Sequence, residues 1–178
     1  MTLGRRYLIY GVTGSGKSTL ATEMAARTGL PWILVDDLTW MPGWVPVSED
    51  EQRRRIQQVC AEDNWILDSP YGSWLDVPLA TAYVIVGPDY PRWLSLWRVT
   101  TRTLKRVVDR RPVCGGNVET WRRVFSMDSM MIWHFRSFSR KRTRIRGWEA
   151  DSPGPQIVRL ASRRQTRDWL DSLEQEAR

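Results

Sequence analysis

The sequence predicts an α/β protein built on a parallel β-sheet, and two observations carry that prediction. Short apolar runs alternate with helical patterns along the 178 residues, and the first two runs, at 7–10 and 32–35, enclose one helical segment at 17–28. A strand, a helix and a strand within about thirty residues form a βαβ unit, which requires parallel strands and a right-handed crossover. Further apolar runs bring the predicted sheet to five strands: 65–68, 81–86 and 156–160.

The segment between the first strand and the first helix has the spacing of a phosphate-binding loop, Gly-x4-Gly-Lys-[Ser/Thr]. It reads Gly11-Val12-Thr13-Gly14-Ser15-Gly16-Lys17-Ser18 and is followed by Thr19. Glycine adopts positive φ at no steric cost, so backbone N–H groups can surround phosphate oxygens, and the helix N-terminus adds positive partial charge. We therefore expect Gly11 to Thr19 to bind ATP phosphates. Lys17 is the predicted catalytic cation, facing solvent, and Ser18 a predicted Mg²⁺ ligand.

Two of the predicted strands end in an aspartate. The run 32–35 is apolar throughout, as in strands buried on both faces, and leads into Asp36, while Asp68 ends the run 65–68. The carboxyl ends of parallel strands meet at the sheet edge where ligands bind, so both carboxylates should lie beside the phosphate loop. Asp68 is predicted to hold Mg²⁺ through a water molecule. Two roles stay open for Asp36: orienting or deprotonating an acceptor hydroxyl, or holding a metal-bound water.

The segment that follows Asp36 is rich in tryptophan and proline. Residues 38–47 contain Trp40, Trp44, two prolines and a glycine, a composition that predicts an ordered loop without regular structure. The two tryptophans either stack on a base or pack this segment. Ser48 and Glu51 have the spacing of a capping box, which predicts a helix from there to about residue 62.

The C-terminal half is predicted to contain a long two-faced helix, a connection and two further helices. The pattern at 91–110 places large apolar residues on one face, expected to be buried, and cations on the other. The apolar positions are Trp93, Leu94, Trp97, Leu104, Val107 and Val108, and the basic ones Arg92, Arg98, Arg102, Lys105 and Arg106. The stretch 110–117 contains Pro and Gly and predicts a mobile connection. Helical patterns follow at 121–138, before a short basic run, and at 162–176.

Charge and composition narrow the classes of function. The net charge is +7, and Arg102–Arg146 holds 13 Arg or Lys against three acids, a balance of +10 that leaves −3 for the rest. Such clustering indicates either a polyanionic binding partner or a solvated helix face on which long arginine stems cover apolar surface. With two cysteines and one histidine, neither a disulfide framework nor a four-cysteine zinc site can form. Cys60 and His134 are both predicted to be packed in the interior.

The start of the chain leads directly into the first strand. Residues 1–6 leave no room for a secretion signal, and no apolar run approaches the roughly 18 residues of a membrane span. We therefore expect a cytoplasmic protein with no membrane partner.

Several short segments carry a family resemblance: Val35-Asp36, Trp40 to Pro46, Asn64 to Asp68, the Trp- and Arg-rich helix at 92–111, and Val158-Arg159-Leu160. Together with the order of the elements, they resemble the adenylate-kinase-like P-loop proteins of the topology modulation protein group. The resemblance covers nearly the whole chain. It implies a three-layer nucleotide-kinase-type fold in one domain, with residues 37–64 as a helical acceptor-binding insertion and residues about 106–142 as a helical lid.

This resemblance implies a phosphotransferase that moves the γ-phosphoryl group of Mg-ATP to a small acceptor, a nucleotide or a nucleoside. Among the lid arginines, Arg106 and Arg110 lie one helical turn apart and are the predicted contacts to the transferring group. One departure concerns the acceptor. Adenylate kinases follow the acid of the third strand with Gly-Phe-Pro-Arg, whereas Asp68 precedes Ser-Pro-Tyr-Gly, so no arginine is placed there for an acceptor phosphate. One or two cations from 53–55 would have to take its place.

Two other functions remain open at this level. A regulatory NTP-binding protein would use the basic segment to contact nucleic acid, an interpretation weakened because most of its tryptophans are predicted to be buried. A small-metabolite kinase would share the fold and differ in the insertion. Neither the acceptor, the choice between ATP and GTP, nor the oligomeric state follows from the sequence.

Overall fold

A computed structural model describes residues 5–68, 71–110, 112–113, 116–118, 120–121, 130–150 and 154–176. Its centre is a five-stranded parallel sheet, which confirms the predicted α/β fold class. The sheet strands are β1 (Arg6–Ile9), β2 (Trp32–Leu34), β5 (Trp65–Asp68), β6 (Val84–Pro88) and β9 (Gln156–Leu160). They lie side by side in the order β2-β5-β1-β6-β9. Two small antiparallel hairpins pair β3 (Trp40–Met41) with β4 (Val45–Pro46) and β7 (Pro112–Val113) with β8 (Asn117–Val118).

Seven helices are present in the described part of the chain. They are α1 (Lys17–Thr28), α2 (Val35–Thr39), α3 (Glu49–Ala61), α4 (Asp76–Thr81), α5 (Arg92–Asp109), α6 (Met130–Ala150) and α7 (Arg163–Glu176). No helix among these residues is both long and apolar enough to cross a bilayer.

The sheet separates two apolar layers because alternate strand residues point to opposite faces. On one face Leu8 and Trp65 pack with Ile56 of α3 and Ile145 of α6, and Cys60 lies in this cluster, as predicted. On the other face, α1 and α7 pack against the sheet. There the strand residues Ile9, Ile66 and Val86 meet Leu20 and Met24 of α1 and Leu170 of α7. Helices on both faces of a parallel sheet give the predicted three layers.

Several local predictions were wrong, chiefly at element boundaries. The run 32–35 is not a doubly buried strand, because β2 is an edge strand with Trp32 37% exposed and because Val35 already begins α2. The segment 38–47 does contain regular structure, the end of α2 and the β3–β4 hairpin. Thr81 ends α4, a helix that was not predicted, and the fourth sheet strand begins only at Val84.

Helix boundaries differ in two further places. Ser48 is the N-cap of α3 but makes no side-chain capping bond. Instead the Gln52 amide donates to the carbonyl of Val47 over 2.6 Å. The basic run after residue 138 is part of α6, which continues to Ala150. Other predictions lie outside the described residues: Ser69 and Pro70, Arg111, Cys114 and Gly115, and the helical positions Val124 and Phe125.

The buried side of α5 is not the one that the sequence predicts. Small residues face inward, namely Ser95, Val99, Thr103 and Val107. Four large apolar residues instead form an exposed row, here called the outer stripe: Trp93 (70% exposed), Trp97 (65%), Leu104 (40%) and Val108 (71%). Close approach explains this choice, because a Cβ at Gly14 of the phosphate loop would lie 2.3 Å from the Ser95 carbonyl oxygen. A helix face lined with tryptophan could not come so near.

Candidate functional site

The phosphate loop follows β1 and curls into α1. Gly14 and Gly16 adopt φ of 79° and 91°, in the left-handed region that favours glycine. The Ser15 N–H donates to the Val12 carbonyl over 3.2 Å, and the Leu20 N–H to the Gly16 carbonyl over 2.9 Å. These bonds set the turn and start the helix. The loop therefore has the concave backbone that an anion site requires.

Ser15 shows that the loop is shaped for a polar occupant. Its side chain is fully buried, and within the described part of the chain its hydroxyl has no hydrogen-bond partner. A Cβ on Gly11 would come within 2.9 Å of that hydroxyl oxygen. Buried hydroxyls without partners are uncommon in folded proteins. A phosphate oxygen in the loop would supply the missing partner, so the residues present fit a nucleoside triphosphate.

Lys17 lies at the first turn of α1. The prediction that it faces solvent was wrong, because its side chain is buried. Its Nζ donates to the Val12 carbonyl over 3.0 Å. Burial lowers the pKa of Lys17, and the carboxylate of Asp68 is the largest influence that opposes this shift. Ser18 follows, half-buried, and Thr19 is exposed on the same turn. Lys17 thus already lies within the loop that would hold a phosphate.

The two aspartates converge on this lysine. Asp68 is fully buried at the end of β5, where it pairs in register with Ile9, the last residue of β1. Asp36 is half-buried in α2. Both carboxylates raise the pKa of Lys17, so the structure brings together the two acids and the lysine, as expected. Ser18 and Asp68 offer a Mg²⁺ ion few protein ligands, which suits a metal that keeps waters and binds substrate phosphates.

A second buried lysine, Lys141 on α6, was missed by sequence reasoning. It lies with its Nζ 5.7 Å from the centroid of the Tyr10 ring, and its side chain is buried. Burial lowers the pKa of Lys141 to about 7, with the charge of Lys17 adding to the effect and Asp36 and Asp68 opposing it. Lys141 is therefore close to the same centre. In the sequence it is one cation of a basic run, with no spacing signal to single it out.

Lys141 makes stability depend on pH. In the folded protein Lys141 loses its proton above pH 7. In the unfolded chain the same lysine has its ordinary pKa of about 10.4 and stays protonated. The unfolded state then binds more protons, so stability should rise from pH 7 to pH 9. Lys17, whose pKa is also lowered, contributes with the same sign. We expect Lys141→Met to flatten this slope in urea unfolding of the ligand-free protein, while Lys105→Met, at an exposed position, keeps it. Equal slopes in all three proteins would contradict the burial of a titrating Lys141.

A cavity of about 1220 Å³ opens from the loop between α1, α5 and α7. Among the described residues, seven of those that line it are Arg or Lys and three are Asp or Glu. Four of these cations belong to α5: Arg98, Arg102, Lys105 and Arg106. The excess of positive charge suits a polyphosphate.

Arg98 contacts the phosphate loop directly. Its Nη1 donates to the Ser15 carbonyl over 3.4 Å, and its guanidinium stacks 4.9 Å from the centroid of Tyr90. Arg106, which the sequence analysis predicts to contact the transferring group, lines the cavity. Arg110 is the C-cap of α5, exposed and in the left-handed conformation, and it is not part of the cavity lining. The helical pattern at 91–110 placed Arg98 on the basic face without distinguishing it from its neighbours.

Aromatic and hydroxyl side chains lie near Asp36. The Tyr71 hydroxyl accepts from Trp40 Nε1 over 3.0 Å and shares a 2.6 Å hydrogen bond with Thr39. Burial is the main cause that raises the pKa of Tyr71, followed by the charge of Asp36. Trp40 also meets Trp44 edge-on, with 5.9 Å between ring centroids. Both tryptophans therefore pack within this segment.

The three arginines of α3 are engaged in ion pairs. Arg53 binds Asp76 with both terminal nitrogens. Arg54 and Arg55 both bind Glu51, and Arg55 also donates to the Leu38 carbonyl. The hydrogen bond from Arg54, followed by the one from Arg55, lowers the pKa of Glu51 to about 2. Each arginine already has a partner, which argues against their binding an acceptor phosphate.

One side chain joins the two hairpins. The Asn117 side-chain oxygen accepts from the Trp44 N–H over 2.7 Å, and its Nδ2 donates to the Met41 carbonyl over 3.0 Å. Asn117 is buried in this position. The Trp44 indole adds a 3.3 Å bond to the Val118 carbonyl. The β7–β8 hairpin, inside the predicted lid, is thereby attached to the β3–β4 hairpin, inside the predicted insertion.

The single histidine is structural, as predicted. His134 of α6 is fully buried, and its Nε2 lies 2.8 Å from the Ser95 hydroxyl of α5. Burial lowers the pKa of His134, so the ring is neutral and links the two helices.

Comparison with known proteins supports the fold. No protein-family model and no curated protein matches the chain. Among solved structures, it is similar to a sugar kinase from Janibacter sp. HTCC2649, with 17% identity over 98% of this chain and 92% of that one and a TM-score of 0.51. It is also similar to a gluconokinase from Sinorhizobium meliloti 1021, with 17% identity over 99% and 97% and a TM-score of 0.52.

A third similar structure is the shikimate kinase from Bacteroides thetaiotaomicron, with 16% identity over 97% of both chains and a TM-score of 0.54. At such low identity these neighbours show only that the chain shares its three-layer α/β fold with three proteins that are kinases.

Proposed function

We propose that the protein is a P-loop kinase that transfers the γ-phosphoryl group of Mg-ATP to a hydroxyl group of a small acceptor. The observation that carries the proposal is the convergence of Lys17, Asp36 and Asp68 on a glycine-rich loop whose buried Ser15 hydroxyl lacks a partner. The three structural neighbours are small-molecule kinases and support this class of reaction. In such transfers, positioning and charge neutralisation supply nearly all of the catalysis.

The residues then take distinct roles. Backbone N–H groups of Gly14 to Lys17 and the Lys17 ammonium hold the β- and γ-phosphates. Ser18 and Asp68 hold Mg²⁺, which when bound neutralises charge on the phosphates and polarises the group being transferred. Asp36 orients or deprotonates the acceptor hydroxyl, or holds a metal-bound water. In this scheme residues 37–64 bind the acceptor and residues about 106–142 form the lid, as in the topology modulation protein group that the sequence resembles.

The acceptor is best matched by a hydroxylated molecule without a phosphate, such as a nucleoside or a sugar derivative. Two hydroxyl groups and an indole, those of Thr39, Tyr71 and Trp40, lie near Asp36 and bond one another, while the arginines of α3 are bound to carboxylates. The names of two neighbours, gluconokinase and shikimate kinase, add a sugar acid and a shikimate-like alcohol to these candidates. None of them supports the alternative of a regulatory protein that binds nucleic acid.

A phosphoryl-transfer screen tests the proposal directly. ATP and GTP would be offered with Mg²⁺ against nucleosides, nucleotides, sugar acids and cyclic polyols, with phosphorylated product detected by mass. We expect transfer to at least one acceptor and slow hydrolysis in its absence. Binding of Mg-ATP with neither transfer nor hydrolysis would leave a nucleotide-binding module and refute the kinase.

The arginines of α5 provide a graded test. Because Arg98 and Arg106 line the cavity, Arg98→Ala and Arg106→Ala should lower turnover roughly a hundredfold, the effect of losing one electrostatic stabiliser, and lower donor affinity much less. Arg110→Ala tests the sequence-based prediction for a residue outside the cavity lining. A loss equal to that of Arg106→Ala would support its role, and unchanged turnover would remove it from the site. Steady-state kinetics with a matched Arg164→Ala control, at an exposed position, would measure all four.

A further inference from the structure

The outer stripe of α5 is an apolar surface with no partner in the described part of the protein. From the exposed fractions of Trp93, Trp97, Leu104 and Val108, its exposed area is on the order of 500 Å², given that a whole aromatic side chain covers up to about 250 Å². That is near the upper end of the roughly 300–600 Å² that the largest patch of a monomer reaches, and patches of this size are commonly binding surfaces. The stripe is therefore large enough to be functional.

The charged residues of α5 do not share this face. Five of them line the cavity beside the phosphate loop: Arg98, Arg102, Lys105, Arg106 and Asp109. The remaining one, Arg92, stacks on Phe135 and Phe138 of α6, with its guanidinium carbon 4.7 and 5.2 Å from their ring centroids. Covering the stripe would bury no charge of this helix, and Thr101 is the single residue of α5 that both borders the stripe and lines the cavity. The matching partner is consequently an apolar surface and not a polyanion.

The spacing of the stripe is the same in both directions along the helix. Trp93 and Trp97 are four residues apart, Trp97 and Leu104 seven, and Leu104 and Val108 four. A second α5 laid antiparallel across the first therefore brings stripe onto stripe, with a two-fold axis between Thr100 and Thr101. Each tryptophan then meets a smaller aliphatic side chain: Trp93 faces Val108 of the other copy and Trp97 faces Leu104. Large against small is the arrangement that fills such an interface well.

The centre of the stripe also suits close packing. Small residues at the crossing point let two helices approach to about 8–10 Å. The Thr101 hydroxyl already donates to the Trp97 carbonyl over 2.9 Å, so covering it costs no hydrogen bond. Counted on both copies, the stripe alone supplies about 1,000 Å², the lower limit of a specific interface, before its rim is added.

We propose that the outer stripe of α5 is the interface of a two-fold symmetric dimer of this chain, with the two α5 helices packed antiparallel. An isologous contact of this kind closes on itself and gives a dimer, not a filament. Arg98 and Arg106 lie on another side of the same helix and line the cavity beside the phosphate loop. The dimer contact would therefore hold α5, one side of this cavity, in place in each copy. The proposal does not depend on the reaction that the cavity supports.

Sedimentation velocity over a wide range of protein concentrations tests the dimer. Wild-type protein should sediment as a dimer that dissociates on dilution, and Trp97→Glu should be a monomer at every concentration, because each copy would bury a carboxylate in the interface. Trp32→Glu is the matched control, an exposed tryptophan on the edge strand β2, and should remain dimeric. A monomeric wild type, or a dimer that Trp97→Glu leaves intact, would refute the interface. Far-UV circular dichroism checks that each variant is folded.

Cross-linking tests the antiparallel register in a Cys114→Ser background, with Cys60 buried. Thr100→Cys, beside the two-fold axis, should form a disulfide with its own copy under mild oxidation. Trp93→Cys should not, because the two copies of position 93 lie roughly 22 Å apart at 1.5 Å per residue, but it should cross-link to Val108→Cys when the two proteins are mixed. Self-linking of Trp93→Cys would indicate parallel helices and overturn the register.

Two other occupants of the stripe are distinguishable by the same variant. Monomeric protein that co-sediments with phosphatidylserine vesicles would assign the stripe to a membrane surface. Monomeric protein that binds an oligothymidine with steep salt dependence would assign it to nucleic acid. Either result, if lost in Trp97→Glu and kept in Trp32→Glu, replaces the dimer.

Discussion

Replacing Lys17 with alanine should abolish phosphoryl transfer. The ammonium group already lies inside the loop, bonded to the Val12 carbonyl, with Asp36 and Asp68 stabilising its charge against burial. A phosphate in the loop would take over that stabilisation at close range, and no other side chain is placed to supply it from the loop. We expect loss of turnover by several orders of magnitude and weaker binding of Mg-ATP in calorimetry.

The burial of Lys17 decides how this experiment is designed. Because the side chain is packed, alanine leaves a gap, so Lys17→Met is the better variant for separating chemistry from folding. Lys105→Met is the matched control, since Lys105 is an exposed lysine that lines the cavity outside the loop. Thermal unfolding should show both methionine variants folded. Equal ATP affinity and equal turnover in Lys17→Met and wild type would remove the loop from the mechanism.

The second large effect is expected for Asp68→Asn. Asparagine keeps the shape of this fully buried side chain but not the charge that helps to hold the metal, so turnover should fall roughly a hundredfold or more. Binding of ATP without Mg²⁺ should survive. The readout is turnover as a function of Mg²⁺ concentration, together with calorimetry in EDTA. If added Mg²⁺ gave identical curves for variant and wild type, Asp68 would have no part in holding the metal.

Asp36→Asn separates the two roles that remain open for Asp36. If its carboxylate orients the acceptor, transfer should fall by a similar factor while slow hydrolysis by water is spared. An equal loss of both rates would place Asp36 in the metal shell. Asp37→Asn is the control, because Asp37 is the adjacent, exposed acid on the same short helix, and it should behave as wild type.

Local spacing was enough to determine the central part of the fold. The order strand, glycine loop, helix and acid-ended strand is encoded within short stretches, where apolar period and glycine position depend only on near neighbours. The five parallel strands, α1 from Lys17 to Thr28, and the meeting of Lys17 with Asp68 follow from it. Topology does the rest, since parallel strands bring their carboxyl ends to one edge.

Tertiary structure decided which side of each helix faces the site. Lys141 and Arg98 belong to runs of cations that look alike in the sequence, and only the packing of α6 on the sheet and of α5 on the loop places Lys141 beside Tyr10 and Arg98 beside Ser15. Arg53 to Arg55 were candidates until ion pairs with Asp76 and Glu51 engaged them. The outer stripe shows the same principle. Its hydrophobicity predicted burial, but α5 had to approach Gly14 closely, so the fold buried Ser95 and Val99 and left the tryptophans outside.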